Sequence, residues 1–287
     1  MGKVMNASNK RLLSVLAHPD DESFGMGGTL ALYAQRGVEV HLICATRGEV
    51  GETPPGFERN DRSIADLRMD ELRCAGQILG LEKVHFLDYR DSGMPGSADN
   101  HHPRALAAAS VERVATEIAA LIRKLQPQVV LTFDPFGGYG HPDHIAIQQA
   151  TERAFFLAGE ETSIDSLPPY QPQKLYFHTF PNRLLRVLVR LLPLFGIDPR
   201  KWGRNNDINL LEIVEHTYPV HAKINFRSVA KRKEQASACH KSQLMPGSSG
   251  WIWSLMRMFS GPESFMRAHP PATPELRERD LFVGISE

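Results

Sequence analysis

The chain has 287 residues, of which 42% are hydrophobic, and its 33 basic and 33 acidic side chains cancel. That length holds one large core, or a core with a modest lobe, and the absence of a basic excess sets nucleic acid aside as a partner. The first ten residues lack the apolar stretch of a secretion signal and no apolar run reaches bilayer length, so a soluble cytoplasmic protein without a transmembrane segment is expected. Cys44, Cys74 and Cys239 are too few and too scattered for a disulfide framework or a thiolate site, and read as small buried hydrophobes in a reducing compartment.

Strand-like and helix-like segments alternate over the first two-thirds. Arg11 to Ala17 is a short apolar run, followed by helical spacing from Gly27 to Arg36 that stops at Gly37. Val38 to Ala45 is β-rich, Asp61 to Leu79 is a long amphipathic helix, and Val84 to Leu87 is a short strand. Ser110 to Leu125 is helical, Val129 to Phe133 a strand, Pro142 to Ala158 a helix, and Lys174 to Phe180 a further strand. Such alternation predicts an α/β fold, a Rossmann-like parallel sheet with helices on both faces. The core is expected at about 11–180, within one domain covering 1–287. Beyond it lies an irregular C-terminal extension, 181–287, with a basic helix at Asn225 to Gln243, an apolar segment at Trp251 to Phe259 and a last strand at Leu281 to Ile285.

Two copies of one pattern stand out: His18-Pro19-Asp20-Asp21 and His141-Pro142-Asp143-His144. Each comes at or just past the end of a predicted strand and introduces a helical segment, where proline at the first helical position is well tolerated. Sites in open parallel sheets form outside the carboxyl ends of the strands, so the two motifs can meet on one rim. Three imidazoles and three carboxylates are the ligand set of a divalent metal outside thiolate chemistry, and they point to metal-assisted hydrolysis. In a helical turn His18 shares a face with Asp21, and His141 with His144.

The stretch Ala17 to Glu22, together with Gly137-Gly138-Tyr139-Gly140-His141-Pro142-Asp143-His144, resembles the LmbE/PIG-L family of zinc-dependent de-N-acetylases. Further matches are Thr46 to Glu49, Arg68 to Leu72, Asp91 to Met94 and His240 to Gln243. The resemblance covers roughly residues 11–150, thins at 223–243 and is absent at 183–204 and 251–275. It implies a Rossmann-like hydrolase that removes acetyl groups from small molecules containing N-acetylglucosamine. It implies His18, Asp21 and His144 as metal ligands, with a position left for water whose pKa the metal lowers. Spacing alone does not decide between Asp20 and Asp21; the resemblance assigns Asp21 to the metal and Asp20 as general base. It makes His141 the oxyanion stabiliser, with Asp143 fixing its tautomer and favouring its cationic form, and Tyr139 a second oxyanion donor. Arg68, Glu49 and Asp91 correspond to the family's contacts to the sugar and its substituent. Zn(2+) is the implied cofactor, and Fe(2+) tolerates the same ligands.

Each assignment has a plainer alternative. Tyr139 could be a structural aromatic on a turn, Arg68 and Glu71 an ordinary i,i+3 pair on a solvated helix face, and Asp91 a turn former. Glu22 reads as a helix-start or supporting carboxylate, His101-His102 as an exposed loop pair, and His240 as helix packing. The Gly25-Met26-Gly27-Gly28 cluster fails the dinucleotide pattern and reads as tight packing of a helix against the metal loop. Segments 183–204 and 251–259 suit subunit contacts or added core better than a pocket collar, and a homo-oligomer is compatible with them. Competing functions are a metal-dependent phosphoesterase and a non-catalytic sugar- or nucleotide-binding module.

Overall fold

The computed structural model describes residues 9–161, 164, 166–179, 183–202, 208–244 and 261–286. In chain order the elements are β1 (Arg11–Leu16), α1 (Asp21–Phe24), α2 (Gly27–Gln35), β2 (Glu39–Cys44), α3 (Ile64–Leu79), β3 (Lys83–Phe86), α4 (Val111–Leu125), β4 (Val129–Phe133), α5 (Gly137–Gly140), α6 (Pro142–Leu157), β5 (Lys174–Thr179), α7 (Arg183–Leu191), α8 (Leu210–Glu215), β6 (Ala222–Ile224), α9 (Ala230–Ser237) and β7 (Glu263–His269). The strands form a seven-stranded sheet in the order β3-β2-β1-β4-β5-β7-β6. β1 to β5 run parallel, whereas β7 is antiparallel to β5 and to β6.

β1 and β4 are almost wholly buried along their length, as strands covered on both faces must be. The chain steps outward from β1 to β2 and β3, then returns to lay β4 on the other side of β1. Right-handed crossovers therefore put α2 and α3 on one face and α4 and α6 on the other. The packing follows: α4 lies on α6, while α2 and α3 pack with α9. α3 begins later than the predicted Asp61, because Asn60 and Asp61 have φ of 48° and 59°, a left-handed conformation that an α-helix cannot contain. Ser63 then caps the helix by accepting from the Asp66 N–H, and Gly80 ends it at φ 81°.

The C-terminal part departs most from expectation. Leu281 to Ile285 is not a strand but a run of turns; the sheet is completed by β7, whose sequence Glu263-Ser-Phe-Met-Arg-Ala-His269 masks its alternation with charged residues. The basic helix is confined to α9, and the chain turns back at Cys239 to Gln243. The cysteine expectation also needs correcting: Cys74 on α3 and Cys239 after α9 are bonded, with Cα atoms 6.0 Å apart, and only Cys44 is free. They lie 165 positions apart, and the packing of α9 on α3 joins them. Val189, Leu210 and Val214 make a small second apolar cluster between α7 and α8. That assigns part of 183–202 to the core of a side lobe, with Leu194 and Phe195 exposed. Residues 203–204 and the segment 251–259 lie outside the described residues. No helix among the described residues is long and apolar enough to cross a membrane.

A buried ionic cluster pins the antiparallel edge. Glu278 accepts from Lys174 Nζ at 2.9 Å, Tyr176 Oη at 2.7 Å and Arg267 Nη1 at 3.0 Å. Removing this one carboxylate strands two cations, and leaving a buried charge unpaired costs about 3–5 kcal/mol. Glu278→Leu is expected to lower unfolding free energy by that order in urea denaturation, whereas a change below about 1 kcal/mol would mean that the cluster is solvated and dispensable.

Candidate active site

The sequence reverses direction between β1 and β4, and this switch point is where an open α/β sheet forms a crevice beyond its strand ends. His18 to Asp21 follows β1 and His141 to His144 follows β4. The loops after β2 and β3 bring Glu49, Asp91 and Ser92 to the same rim. Segments more than a hundred residues apart thus meet at adjoining strand ends.

The two motifs converge closely. His18 Nδ1 lies 3.2 Å from His144 Nε2; Asp21 Oδ2 is 3.6 Å from the first and Asp21 Oδ1 is 3.3 Å from the second. The opposite ring nitrogens are committed elsewhere. His18 Nε2 is 3.0 Å from Asp143 Oδ2, and His144 Nδ1 is 3.0 Å from the Gly137 carbonyl, which can only accept. In its neutral form each ring therefore carries its N–H on the far side and turns a lone pair toward Asp21, the supporting arrangement usual for metal-binding histidines. The His144 ring is further held flat against Phe133, at 3.9 Å between centroids. Four ligands about 2.1 Å from a tetrahedral ion stand about 3.4 Å apart, so this triangle fits a zinc-sized cation. Two more groupings bring their donor atoms within 4.8 Å, His18 with His141 and His144, and His18 with Asp91 and Asp143.

Carboxylates around His18 make the place attractive to positive charge. Burial alone would lower the imidazole pKa, but Asp91 at 3.6 Å, Asp143 and Asp21 hold it well above the usual histidine value. Asp21 is likewise held low, burial being outweighed by His144 and His18. A proton is the smallest cation these donors accept, and a divalent ion exploits the same field.

The expected pairing of Asp143 with His141 is not the one observed. The Asp143 carboxylate faces His18 and also accepts from the Ser92 N–H at 2.9 Å and from the Ser92 hydroxyl. Its backbone N–H, not its side chain, reaches His141 Nδ1, at 3.2 Å, because His141 is the N-cap of α6. The cap still fixes the tautomer: Nδ1 accepts, so the neutral ring holds its proton on Nε2. The expected cationic form is not supported either, since burial and then His18 and His144 push the His141 pKa well below its ordinary value.

Asp20 has φ 124° and ψ −27°, a conformation costly for a residue with a side chain. Burial raises its carboxyl to about 6, with Arg68 opposing and Asp21 assisting. Arg68 is buried rather than on a solvated face. Its guanidinium donates to the Pro19 carbonyl at 2.7 Å, the Gly48 carbonyl at 3.2 Å and Asp20 Oδ2 at 3.3 Å. Gly48, at φ 66°, is there because a side chain would run into that guanidinium. Glu49 accepts from the Asp91 N–H at 3.0 Å, and Asp91 accepts from the Gly93 N–H at 2.9 Å while facing His18. Of the three residues expected to contact sugar, Arg68 and Asp91 therefore meet the His18–Asp21 loop, and Glu49 reaches it through Asp91. Tyr139 stands edge-on to His144, at 5.0 Å between centroids, on α5, whose turn is broken by Gly138 at φ 74°.

Sequence reasoning assigned Ser92 no role of its own within the Asp91 to Met94 match, and read His240 only as helix packing. The latter is fully buried against Glu22, whose carboxylate also receives the Asp20 N–H. The glycine cluster is tight packing, as expected: a Cβ on Gly28 would enter the Phe226 ring. His101 is exposed, and His102 is turned back on its own loop, accepting from the Arg104 N–H.

Comparison with known proteins follows the same line. Residues 13–155 match the family model described as PIG-L, GlcNAc-PI de-N-acetylase. A Kineococcus radiotolerans protein named 1D-myo-inositol 2-acetamido-2-deoxy-alpha-D-glucopyranoside deacetylase is 38% identical, over 96% of this chain and 83% of its own. A Rhodococcus jostii protein of the same name is 36% identical over 97% and 99%. Among solved structures, N,N'-diacetylchitobiose deacetylase from Pyrococcus horikoshii shares the fold, with a TM-score of 0.61 at 21% identity, over 92% of this chain and 87% of that one. With relatives this alike along almost its whole length, the chain belongs to the PIG-L family.

Proposed function

We propose that this protein is a metal-dependent deacetylase that hydrolyses the N-acetyl amide of a small GlcNAc conjugate, with GlcNAc-inositol as the preferred class. The reading rests above all on the triangle of open donors, His18 Nδ1, His144 Nε2 and the Asp21 carboxylate, with sides of 3.2 to 3.6 Å. These three would hold the ion; His141 is left out because its Nδ1 is occupied by the cap and its Nε2 carries the proton. Zinc suits a two-imidazole, one-carboxylate set, and Fe(2+) suits it as well. When bound, such an ion supplies Lewis-acid polarisation of the attacking water and of the acetyl oxygen.

The chain's own groups supply the rest. Asp20, adjacent to the triangle and held by Arg68, accepts a proton from the attacking water and delivers it to the departing nitrogen. His141 donates Nε2–H to the negative charge that develops on the acetyl oxygen, and the hydroxyl of Tyr139, whose ring stands 5.9 Å from that of His141 between centroids, assists it. Asp143 and Ser92 keep His18 oriented. Glu49, half-buried on the loop after β2, is the best placed of the three expected sugar contacts to meet a hydroxyl, while Arg68 and Asp91 act mainly on the loop itself. The relatives' names supply the inositol conjugate.

A substrate panel tests this. Purified enzyme loaded with zinc is given GlcNAc-inositol, GlcNAc-malate, N,N'-diacetylchitobiose, a mycothiol conjugate and a generic phosphate ester. Free amine is expected from GlcNAc-inositol at a kcat/KM at least about tenfold above the other amides, a difference of about 1.4 kcal/mol in transition-state binding. Phosphate release without amine release would replace the proposal with a phosphoesterase.

A further inference from the structure

His240 comes from a segment more than two hundred residues beyond the metal loop, and its side chain has no exposed surface. Its Nε2 lies 2.7 Å from Glu22 Oε1, both groups fully buried. The other oxygen of Glu22 accepts the backbone N–H of Asp20 at 3.0 Å. The connection thus runs from an imidazole, through one carboxylate, to the peptide of the residue assigned as base.

That peptide needs holding. A residue with a side chain at φ 124° sits in a sparsely populated region and stays there only when its surroundings over-determine it. The Asp20 carbonyl accepts from the Ser23 and Phe24 N–H groups at 3.0 Å, and two side chains add to that hold: Arg68 on the Pro19 carbonyl and the Asp20 carboxylate, and Glu22 on the Asp20 N–H. Glu22 is itself fixed by His240 and by the hydroxyl of Ser23. His240 is anchored in turn. Cys239 is bonded to Cys74 of α3, and Ser242 donates through its N–H and hydroxyl to the two oxygens of Glu71 at 2.8 and 2.7 Å. The segment from 239 to 242 is therefore stapled to α3 on both sides of the histidine.

We propose that His240 is a positioning residue: through Glu22 it keeps the Asp20 peptide in its strained conformation, and so keeps the Asp20 carboxylate aimed at the reacting water. The inference rests on the deacetylase reading for its catalytic consequence, not for the clamp itself. His240→Gln and His240→Asn separate clamp from packing. Both replace a buried ring by an amide, but the longer glutamine carries its N–H about as far as Nε2 and still reaches Glu22, whereas asparagine stops short.

In zinc-loaded protein with GlcNAc-inositol, His240→Asn is expected to lose up to about 10²-fold in kcat, the scale set by misplacing a catalytic group by about 1 Å. KM and bound zinc per chain should stay within about twofold of the original, and His240→Gln should recover most of kcat. The double variant His240→Asn/Glu22→Gln should be no slower than the slower single one, because both break the same connection. Independently of turnover, the Asp20 amide should exchange with solvent faster in His240→Asn than in His240→Gln or the parent. The inference is overturned if kcat is unchanged, if its fall merely tracks lost zinc, or if Asp20 exchange is the same in all three proteins. Should the parent release no amine from any conjugate, the deacetylase reading fails, and the exchange comparison still decides whether His240 holds Asp20.

Discussion

Asp20→Asn is expected to retain bound metal and the native fold while losing about 10³-fold in kcat, the middle of the range for removing a general base. Asparagine keeps the size of the side chain and can still accept from Arg68, so the bracing of the loop survives. What goes is the ability to take a proton. KM for the conjugate should change little, because the role proposed for the carboxylate is on the water rather than on the sugar. The pH profile gives a second reading of the same group. Burial raises the Asp20 carboxyl to about 6, and a cation held by the neighbouring Asp21 pulls it back down. The base is lost when it is protonated, so kcat/KM should fall as the pH drops, with the acid limb at or below about pH 6. A kcat within tenfold of the parent in Asp20→Asn, or an acid limb persisting unchanged in that variant, would assign the proton transfer elsewhere.

The second large effect belongs to the metal triangle. His144→Ala removes one of three donors and also frees the Gly137 carbonyl that orients the ring. Bound metal per chain should fall well below one. Activity should fall by at least about 10³-fold, since polarisation by the ion is worth several kcal/mol and each 1.36 kcal/mol is a factor of ten. Treating the parent with a chelator should reproduce the loss, and adding zinc back should restore the parent but not the variant. Thermal stability should drop only modestly, because the alternating strands and helices, not the ion, carry the core. Full activity of the chelated parent would remove the basis for a metal reaction.

The parts legible in the sequence share one property: their information is local. The run that became β4 is apolar but for Thr132, β1 is interrupted only by Arg11 and Ser14, and α3 and α4 keep an amphipathic period, so the doubly covered sheet could be read. The two His-Pro-Asp motifs carry donors and their spacing together, and both lie after a strand, where the topology brings them to one rim. What stayed hidden depends on which distant element lands beside which. Asp143 looked like the partner of its neighbour His141, but α6 turns its carboxylate to His18 and Ser92. Arg68 and Glu71 read as a surface pair; in fact Arg68 is buried under the His18–Asp21 loop and Glu71 receives Ser242. Cys74 with Cys239, and Glu22 with His240, are joined only by the docking of the segment after α9 on α3. The antiparallel edge was missed because β7 carries the charges of Glu263 and Arg267, satisfied by Lys233 and Glu278 from outside the strand, and the polar ring of His269, which packs on Phe155.

The central claim is that two separated loops grip one cation through His18, Asp21 and His144, and anomalous diffraction from crystals of the zinc-loaded protein tests it most directly. The account predicts one strong anomalous peak about 2.0–2.2 Å from His18 Nδ1, His144 Nε2 and an Asp21 oxygen, with Asp20 close by but unligated. A peak lying instead among Asp91, Asp143 and His18 Nε2, or no peak within reach of His18 and His144 together, would contradict it.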